Sequence, residues 1–399
     1  MKFIYRFFIL TTICYLCSCS KKSDADLKLI ITSVLPATAG MGDTLSISGK
    51  NFNTLKELSV TINDKSVTIL KNTDNNIKIL IPKLLGSGSI KVSAGGNVYK
   101  GPYFNYKYKA TVTTLAGSGY VGSTNGKETA ASFYCPWGIT ADLNGDLYIA
   151  DTYNRLIRKI AAGTNEVSTI PIPTYISGGN FYSPYNIAID TKTRNLYVTD
   201  FNQHVMRIAP NLDMSLIFNS SEIGTTTTGI AAGPDGYIYM SLNTQGKIVK
   251  FDPANNYAYS TFTTGLITPR NIIFDNTKKM YVAAFDNLKG PVILQIDDTG
   301  TASVVHFDLS NKGWEIAIDS AGNFYEADHF SNNLKMIEKN GLVTVIAGSG
   351  KAEDIDGVGV NASFNGPQGI TIDTNGNLYI TTYNYDTKGG NKVRKVVIE

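Results

Sequence analysis

The chain has 399 residues, a formal net charge of +3 at pH 7 and four cysteines. This length is sufficient for two domains. The net charge is small, and no basic run extends beyond Lys21-Lys22, so the sequence does not suggest nucleic-acid binding. Only Cys135 lies outside the first 19 residues, and a single cysteine cannot form an internal disulfide. The folded part must therefore be stable through its core alone.

Residues 1–19 have the pattern of an export signal. A basic start precedes the apolar stretch from Phe7 to Leu16, which is too short to span a bilayer comfortably. The stretch runs into Leu16-Cys17-Ser18-Cys19, which resembles the bacterial lipobox. The resemblance implies that Cys19 is lipidated; the alternative is an ordinary signal peptide that happens to contain cysteines. We expect residues 20–26 to be a polar tether, so that the protein is anchored to a membrane without spanning it.

Residues 27–108 form one predicted β-rich unit. Apolar and polar residues alternate in short runs, for example around Leu45 and Ile47, with proline and glycine between the runs. This spacing predicts a β-sandwich. The string Gly-Asp-Thr-Leu-Ser-Ile-Ser-Gly-Lys-Asn-Phe at 42–52, with the closing Phe104-Asn105-Tyr106, resembles the IPT/TIG immunoglobulin-like domain.

Residues 109–399 contain a repeat that predicts a six-bladed β-propeller. A strand motif recurs six times, and each copy is followed by a turn and a tyrosine, at Tyr148, Tyr197, Tyr239, Tyr281, Tyr325 and Tyr379. Three or four short strands in each unit match the size of a propeller blade. The strings Pro136-Trp137-Gly138-Ile139 and Leu147–Asn154 resemble NHL repeats. Predicted blades three and four depart from the pattern, because Leu242 and Ala284 replace an aspartate.

The start of this repeat region predicts how the ring closes. The segment Val112–Gly119 matches Val343–Gly350, which should be the outer strand of blade five leading into blade six. By analogy, 111–116 is an outer strand that must pair with the last blade, beside Lys392–Ile398. Such a pairing removes a free sheet edge. The expected fold is therefore all-β: an N-terminal IPT/TIG β-sandwich followed by a six-bladed NHL-type propeller closed by its N-terminal outer strand.

Blade geometry places a set of aromatic and polar residues at one mouth of the ring, because the start of strand one and the loop after strand two lie at the same end. The candidate ligand-binding residues are Trp137, Tyr185, Phe201, Arg270, Trp314, His329, Gln368 and Tyr383. Aromatics with polar neighbours around a concave mouth suit sugar rings. Equally, these aromatics can pack on preceding loops or neighbouring blades.

Predicted blade five carries two unusual carboxylates. Glu326 occupies a core-pattern slot, and Glu315 stands where other blades have Gly or Asn. Burying a carboxylate is costly unless it is paired or its pKa rises, so both are candidate catalytic residues. The alternative is a structural ion pair with a lysine or arginine of strand three. We predict no metal site and no cofactor. The alternative is a calcium ion held in the channel by carbonyl and carboxylate oxygens.

An IPT/TIG domain and NHL repeats behind a lipidated cysteine resemble surface glycan-binding lipoproteins of Gram-negative polysaccharide harvesters. The resemblance implies lipid anchoring at the outer membrane, at the cell surface or on the periplasmic face, an oligosaccharide or polysaccharide ligand, and outer-membrane uptake proteins as partners. One alternative is a lactonase- or lyase-like propeller enzyme with a channel metal, for which Glu315, Glu326, Asn186 and Asn271 are the candidates. A second alternative is a protein-docking scaffold.

Overall fold

The computed structural model describes residues 28–53, 56–173, 182–201, 204–219, 227–307, 309, 315–383 and 389–399. Cys19, the tether and Trp314 lie outside these residues. The chain divides into two compact units between Lys107 and Tyr108. Both units are built from β-strands, with a few short 3-10 turns, as expected for an all-β protein.

The described residues of the first unit form two sheets. Their strands alternate between buried and exposed residues: Leu45 and Ile47 are buried, while Ser46 between them is partly exposed. This period of two lets each sheet bury one face. One sheet has the order β1 (Ile30–Leu35), β3 (Thr44–Lys50), β7 (Asn76–Leu80), β6 (Thr68–Asn72); the other has the order β2 (Thr38–Ala39), β9 (Asn97–Tyr106), β8 (Gly88–Ala94), β4 (Ser59–Ile62), β5 (Lys65–Ser66).

The second unit contains six antiparallel sheets within its described residues, here called sheets 1 to 6 in chain order. Sheet 1 comprises β11 (Gly126–Lys127), β12 (Pro136–Ala141), β13 (Leu147–Asp151), β14 (Leu156–Ile160) and β15 (Glu166–Ile170). Sheet 2 comprises β16 (Pro184–Ile189), β17 (Leu196–Asp200), β18 (His204–Ile208) and β19 (Met214–Asn219). Sheet 3 comprises β20 (Thr227–Ala232), β21 (Ile238–Leu242), β22 (Lys247–Asp252) and β23 (Ala258–Thr263). Sheet 4 comprises β24 (Ile272–Phe274), β25 (Met280–Asp286), β26 (Gly290–Ile296) and β27 (Ala302–Phe307). Sheet 5 comprises β28 (Ile316–Ile318), β29 (Phe324–Asp328), β30 (Asn333–Ile337) and β31 (Val343–Ala347). Sheet 6 has the strand order β32 (Gly357–Val358), β10 (Ala110–Ala116), β35 (Lys392–Ile398), β34 (Leu378–Thr382), β33 (Pro367–Ile372). The 3-10 turns are Glu128–Ala130, Thr152–Asn154, Pro253–Asn255 and Gly359–Asn361.

The sheets have a propeller-like arrangement. The innermost strands, β12, β16, β20, β24, β28 and β33, surround one central cavity of about 270 Å³, here called the channel. Isoleucine and alanine side chains form most of its wall. Hydrophobic clusters fill the spaces between successive sheets; one of them joins Ile149 of sheet 1 to Val393 of sheet 6.

Sheet 6 contains strands from both ends of the second unit. Strand β10 pairs antiparallel with β35, with Ala110 opposite Ile398 and Thr113 opposite Lys395. Ala110 and Val112 are fully buried in this pairing. The pairing joins residues that are almost the whole unit apart in sequence.

The recurring tyrosine of the second strand bonds to the turn before it. In sheets 5 and 6, the hydroxyls of Tyr325 and Tyr379 each donate a hydrogen bond of 3.0 Å to the aspartate that begins the turn, Asp319 or Asp373. A tyrosine ring buried between sheets needs a partner for its hydroxyl, and the aspartate provides it. This bond is a structural reason for the tyrosine in the repeat.

Glycines in the innermost strands mark places where neighbouring sheets approach closely. A Cβ on Gly229 would lie 2.1 Å from the carbonyl oxygen of Arg270, and one on Gly369 would lie 2.2 Å from that of Trp137. No side chain fits in such a gap. Sheets 2, 4 and 5 carry a larger residue at the same repeat position, and these three residues are part of the candidate site.

Candidate ligand-binding mouth and channel

Six rings form a continuous row along one end of the second unit, here called the aromatic row. In spatial order they are Phe201, Tyr185, Trp137, Tyr383, His329 and Phe330. Successive ring centroids are 4.9, 4.6, 5.4, 5.1 and 5.6 Å apart. These are the separations of packed aromatic pairs. The row extends from sheet 2 across sheets 1 and 6 to sheet 5.

Two kinds of position contribute to the row, as blade geometry predicts. Trp137 and Tyr185 lie at the start of the innermost strands β12 and β16. Phe201, His329 and Tyr383 directly follow the second strands β17, β29 and β34. The structure therefore brings five of the predicted ligand-binding residues together at one mouth.

The row is buried at its centre and exposed at its ends. Trp137 is only 8% exposed, whereas Phe201 and Phe330 are 46% and 52% exposed. Tyr383 stacks on the Trp137 indole, with an angle of 24° between the ring planes, and Tyr185 packs against the same indole. Trp137 therefore has no free face on which a sugar can stack. The expectation that this tryptophan is itself a stacking platform needs correction, because neighbouring sheets cover it.

The indole of Trp137 retains one unused polar group. Its Nε1 is buried and has no hydrogen-bond partner in the described part of the chain. A buried N–H without an acceptor costs about 1–3 kcal/mol, so a group supplied from outside that accepts its hydrogen would be stabilising. Gln368, another predicted mouth residue, is buried at the start of β33.

Arg270 is another of the predicted mouth residues. It directly precedes Asn271 and β24, and its side chain is half-buried. Burial lowers the pKa of the guanidinium, while nearby Tyr185 and Glu315 act to raise that pKa.

Glu315, Asn186 and Asn271 meet in the channel. They occupy the repeat position that is glycine in sheets 1, 3 and 6. The Nδ2 atoms of Asn186 and Asn271 donate hydrogen bonds of 3.0 and 2.7 Å to the two carboxylate oxygens of Glu315. Burial raises the pKa of Glu315 to about 8, although the two amides and Arg270 favour its charged form. Burial therefore favours the protonated form of this carboxyl.

This cluster does not fit a calcium ion. The amide oxygen of Asn186 accepts a hydrogen bond of 2.8 Å from the Ile187 N–H, so the amide nitrogen must face Glu315. The amide oxygen of Asn271 likewise accepts from the Ile316 N–H at 3.4 Å. Calcium requires six to eight oxygen ligands, and among the described residues that line the channel Glu315 is the only acidic one. Within the described ranges, no group of three or more His, Cys, Asp or Glu residues is placed to hold a metal.

Glu326 is placed differently from Glu315. It is fully buried, and its carboxylate lies 3.7 Å from Lys335 Nζ on the third strand of sheet 5. The same ammonium lies 2.7 Å from Asp328. The structure thus supports the alternative of a structural ion pair, and Glu326 does not line the channel.

Sequence reasoning did not identify the basic partners of the aspartates that end the second strands. Asp151 accepts from buried Arg158 at 2.9 Å, and Asp200 lies 2.9 Å from His204 Nδ1. The two aspartates contact different kinds of basic side chain, an arginine and a histidine, so no single sequence motif identifies the pairs. Their role is to compensate buried charge at the mouth.

Family comparisons identify one domain in the first unit and one repeat in the second. The IPT/TIG domain family matches residues 29–109, and the NHL repeat family matches residues 133–160. A curated relative, the chloroplastic protein SUPPRESSOR OF QUENCHING 1 of Arabidopsis thaliana, is 33% identical over 114 residues, or 26% of this chain. The match covers only 10% of that protein's length. No helix among the described residues is long and apolar enough to cross a membrane.

Several solved structures share the fold along nearly the whole chain. A Bacteroides thetaiotaomicron protein of unknown function aligns with 94% of this chain and 99% of its own, with a TM-score of 0.61 and 20% identity. An auxiliary nutrient binding protein from Bacteroides ovatus aligns with 93% and 98%, with a TM-score of 0.56 and 19% identity. A second protein of that description, from Bacteroides thetaiotaomicron, aligns with 94% and 99%, with a TM-score of 0.56 and 18% identity. The chain therefore contains an IPT/TIG domain followed by a propeller-like unit with an NHL repeat, as the sequence resemblance indicates.

Proposed function

We propose that this protein binds a carbohydrate at the mouth that carries the aromatic row. The observation that carries the proposal is the row itself: six rings in contact, buried at Trp137 and exposed at Phe201 and Phe330. Packed rings at the centre hold the shape of the mouth, and exposed rings at the ends offer faces to a ligand. Sugar rings stack on such faces through their C–H groups while their hydroxyls form hydrogen bonds.

The proposal includes a closed six-bladed ring. Sheets 1 to 6 would be its blades, and β10 would close it by supplying a strand to sheet 6. The pairing of β10 with β35 supports this, and so does the channel wall, to which all six innermost strands contribute. A closed ring suits a binding role, because it fixes rings from four different sheets relative to one another.

The proposal also places the protein at a membrane. Residues 1–19 would be an export signal, Cys19 the lipidated residue and 20–26 a tether, with the protein on the outer membrane. The string Leu16-Cys17-Ser18-Cys19 supports lipidation. The solved chains described as auxiliary nutrient binding proteins support a role in nutrient capture. Outer-membrane uptake proteins would be the partners in that role.

The enzyme alternative has one observation in its favour. Burial inside the channel raises the pKa of Glu315 to about 8, and a general acid needs such a raised pKa. Both of its oxygens, however, already accept hydrogen bonds from Asn186 and Asn271, and the cluster lacks the ligands that a channel metal needs. We therefore favour binding over catalysis, and over a protein-docking scaffold, which no specific contact supports.

A glycan array probed with the full-length protein, purified in detergent, tests the proposal. We expect at least one oligosaccharide to bind. The double variant F201A/F330A should weaken that binding at least tenfold, since each exposed ring contributes about 1–3 kcal/mol on burial against a ligand. The matched control is F307A, which removes an equally exposed phenylalanine from the outermost strand of sheet 4. The absence of any glycan ligand, or equal losses in both variants, would refute the proposal.

A further inference from the structure

We infer that the second unit has a further binding site, a cleft between sheets 3 and 4 that takes a short neutral saccharide. This cleft, here called the 3–4 cleft, has a volume of about 490 Å³ and is larger than the channel. Volumes of about 300–1,000 Å³ are typical of small-molecule sites. The cleft shares no lining residue with the aromatic row, so the inference goes beyond the proposed function.

The 3–4 cleft lies at the opposite end of the sheets from the aromatic row. Phe274 ends the innermost strand β24, and residues 277–279 lie between that strand and β25. Asp297 and Asp298 follow the third strand β26, which ends at the same place. Residues of the row, in contrast, begin innermost strands or follow second strands. A ligand in the cleft and a ligand at the mouth would therefore not compete for space.

Three rings line the apolar wall of the 3–4 cleft. The Tyr239 ring centroid lies 5.2 Å from that of Phe262 and 5.6 Å from that of Phe274. Tyr239 is buried, and its hydroxyl donates a hydrogen bond of 2.6 Å to Asp235, which fixes the ring. Phe262 and Phe274 are only half-buried, so part of each ring remains accessible from the cleft. Such ring surfaces suit the C–H face of a sugar.

The corresponding cleft between sheets 6 and 1 shows that packing of neighbouring sheets does not require these rings. Its volume is about 260 Å³, and Tyr379, the repeat counterpart of Tyr239, is the only ring among its described lining residues. The position of Phe274 at the end of the innermost strand is Ala141 in sheet 1. Larger side chains thus surround the larger space, so the 3–4 cleft is not a gap left by small residues.

Four polar side chains at the edge of the 3–4 cleft are available to a ligand. Gln295 is half-buried, and Lys278, Lys279 and Asp298 are exposed. Among the described residues, none of the four side chains has a hydrogen bond or an ion pair. The amide both donates and accepts, the ammonium groups donate, and the carboxylate accepts. Sugar hydroxyls also do both, so a saccharide on the rings can bond to each kind of group.

The charges around the 3–4 cleft balance, which favours a neutral ligand. The carboxylates of Asp235 and Asp297-Asp298 and the ammonium groups of Lys278-Lys279 line it. A third ammonium, that of Lys250, lies 5.6 Å from the centroid of the Phe262 ring. Three negative and three positive groups leave no net field to attract an anion or a cation. An uncharged ligand with many hydroxyls fits this surface best.

Calorimetry with the full-length protein in detergent tests the site. The probes are maltotriose, cellotriose, xylotriose, mannotriose and lactose, and the titrations use F201A/F330A, in which the mouth has lost its exposed rings. At least one probe should bind this variant. Adding Q295A and D298A should weaken that binding about tenfold, because two hydrogen-bonding partners are lost.

The matched control for Q295A/D298A is N144A/N375A. It removes two exposed polar side chains from the cleft between sheets 6 and 1 and should leave the affinity within about twofold. The ligand class is tested with pairs that differ in charge: lactose against sialyllactose, and chitotriose against its deacetylated amine form. In F201A/F330A the neutral member of each pair should bind at least as tightly as the charged member.

Lysine acetylation of the unmodified protein gives a readout that needs no variant. A saturating concentration of the bound saccharide should slow the acetylation of Lys278 and Lys279 severalfold, measured by mass spectrometry of their peptides. Lys339, an exposed lysine that follows the third strand of sheet 5, is the reference and should react at an unchanged rate. Equal rates at all three lysines with and without saccharide would overturn the site.

The outcomes separate this inference from the proposed function. Binding that is lost in F201A/F330A and unchanged in Q295A/D298A would overturn the 3–4 cleft and leave the mouth intact. Binding that survives in F201A/F330A and falls when Q295A and D298A are added would support the cleft, whatever becomes of the mouth. Tighter binding of a charged member of either pair to F201A/F330A would overturn the neutral ligand. No binding of any saccharide would overturn both proposals.

Discussion

The indole ring of Trp137 stacks on the phenol ring of Tyr383, with ring centroids 5.4 Å apart and ring planes at 24°. Trp137 begins the innermost strand of sheet 1, and Tyr383 follows the second strand of sheet 6, so the contact joins two sheets that are distant in sequence. Tyr185 of sheet 2 packs against the same indole. Trp137 is therefore a packing residue that holds three sheets together at the mouth.

Replacing Trp137 should destabilise the protein, because the side chain is buried. W137A should lower the free energy of unfolding by about 3–5 kcal/mol, the usual cost of removing a buried aromatic ring. W137F should cost much less, but it removes the indole N–H and should weaken binding of any ligand that accepts from it. Urea unfolding measures the first effect and calorimetry the second. An unchanged stability in W137A would mean that the indole is a surface platform after all.

Glu315 should make stability depend on pH. Because its pKa rises from 4.5 to about 8 on folding, the folded protein keeps a proton that the unfolded chain releases. The contribution of Glu315 to stability is therefore greatest below pH 4.5 and falls as the pH rises towards 8, by up to about 1.4 kcal/mol per pH unit. In E315Q this slope should disappear. Urea unfolding of both proteins between pH 5 and 8 tests the sign: a difference in stability that stays constant with pH contradicts it.

Removing strand β10 should expose the edge of sheet 6. The strand buries Ala110, Val112 and Ala116 and forms a ladder with β35. A chain that starts at Gly119 should therefore be insoluble or melt far below one that starts at Lys107. Thermal unfolding of both chains, monitored by circular dichroism, gives the two melting temperatures to be compared. Equal melting temperatures would show that β10 is dispensable for the stability of the second unit.

The thiol of Cys135 should be unreactive in the folded protein. It is buried, and burial together with the negative charge of Asp151 raises its pKa to about 12, so the thiolate is scarce at pH 8. Iodoacetamide should label it at least a hundredfold more slowly in buffer than in 6 M guanidinium chloride. Mass spectrometry of the peptide that contains Cys135 separates it from the N-terminal cysteines. Rapid labelling without denaturant would place the thiol at the surface.

Cys19 should determine where the protein is found. If it carries a lipid, C19A should move the protein from the membrane fraction to the soluble fraction. C135A is the control, since a buried thiol outside residues 1–19 should not affect fractionation unless the protein unfolds. Membrane association that persists in C19A would show that another feature anchors the chain.

The sequence alone was sufficient to predict which domain and which repeat the chain contains. Alternation around Leu45 and Ile47 predicts a sandwich strand, and the NHL-like string around Trp137 predicts a repeat; the family matches confirm both resemblances. These signals can be read directly because a strand's period of two and the turn residues act over a few neighbouring positions. The same local logic placed Trp137, Tyr185 and Tyr383 at one mouth, since each sits at a fixed point of its repeat.

Only the tertiary structure decided what those residues contact. The stacking of Trp137 on Tyr383, the hydrogen bonds from Asn186 and Asn271 to Glu315, and the pairing of Glu326 with Lys335 depend on which sheets face each other and how closely. The sequence showed that two glutamates in one blade were unusual, but not that one faces the channel and the other lies inside its sheet. The local sequence pattern does not determine what surrounds a side chain on a strand. The packing between sheets determines whether that side chain faces a cavity or contacts a neighbouring residue.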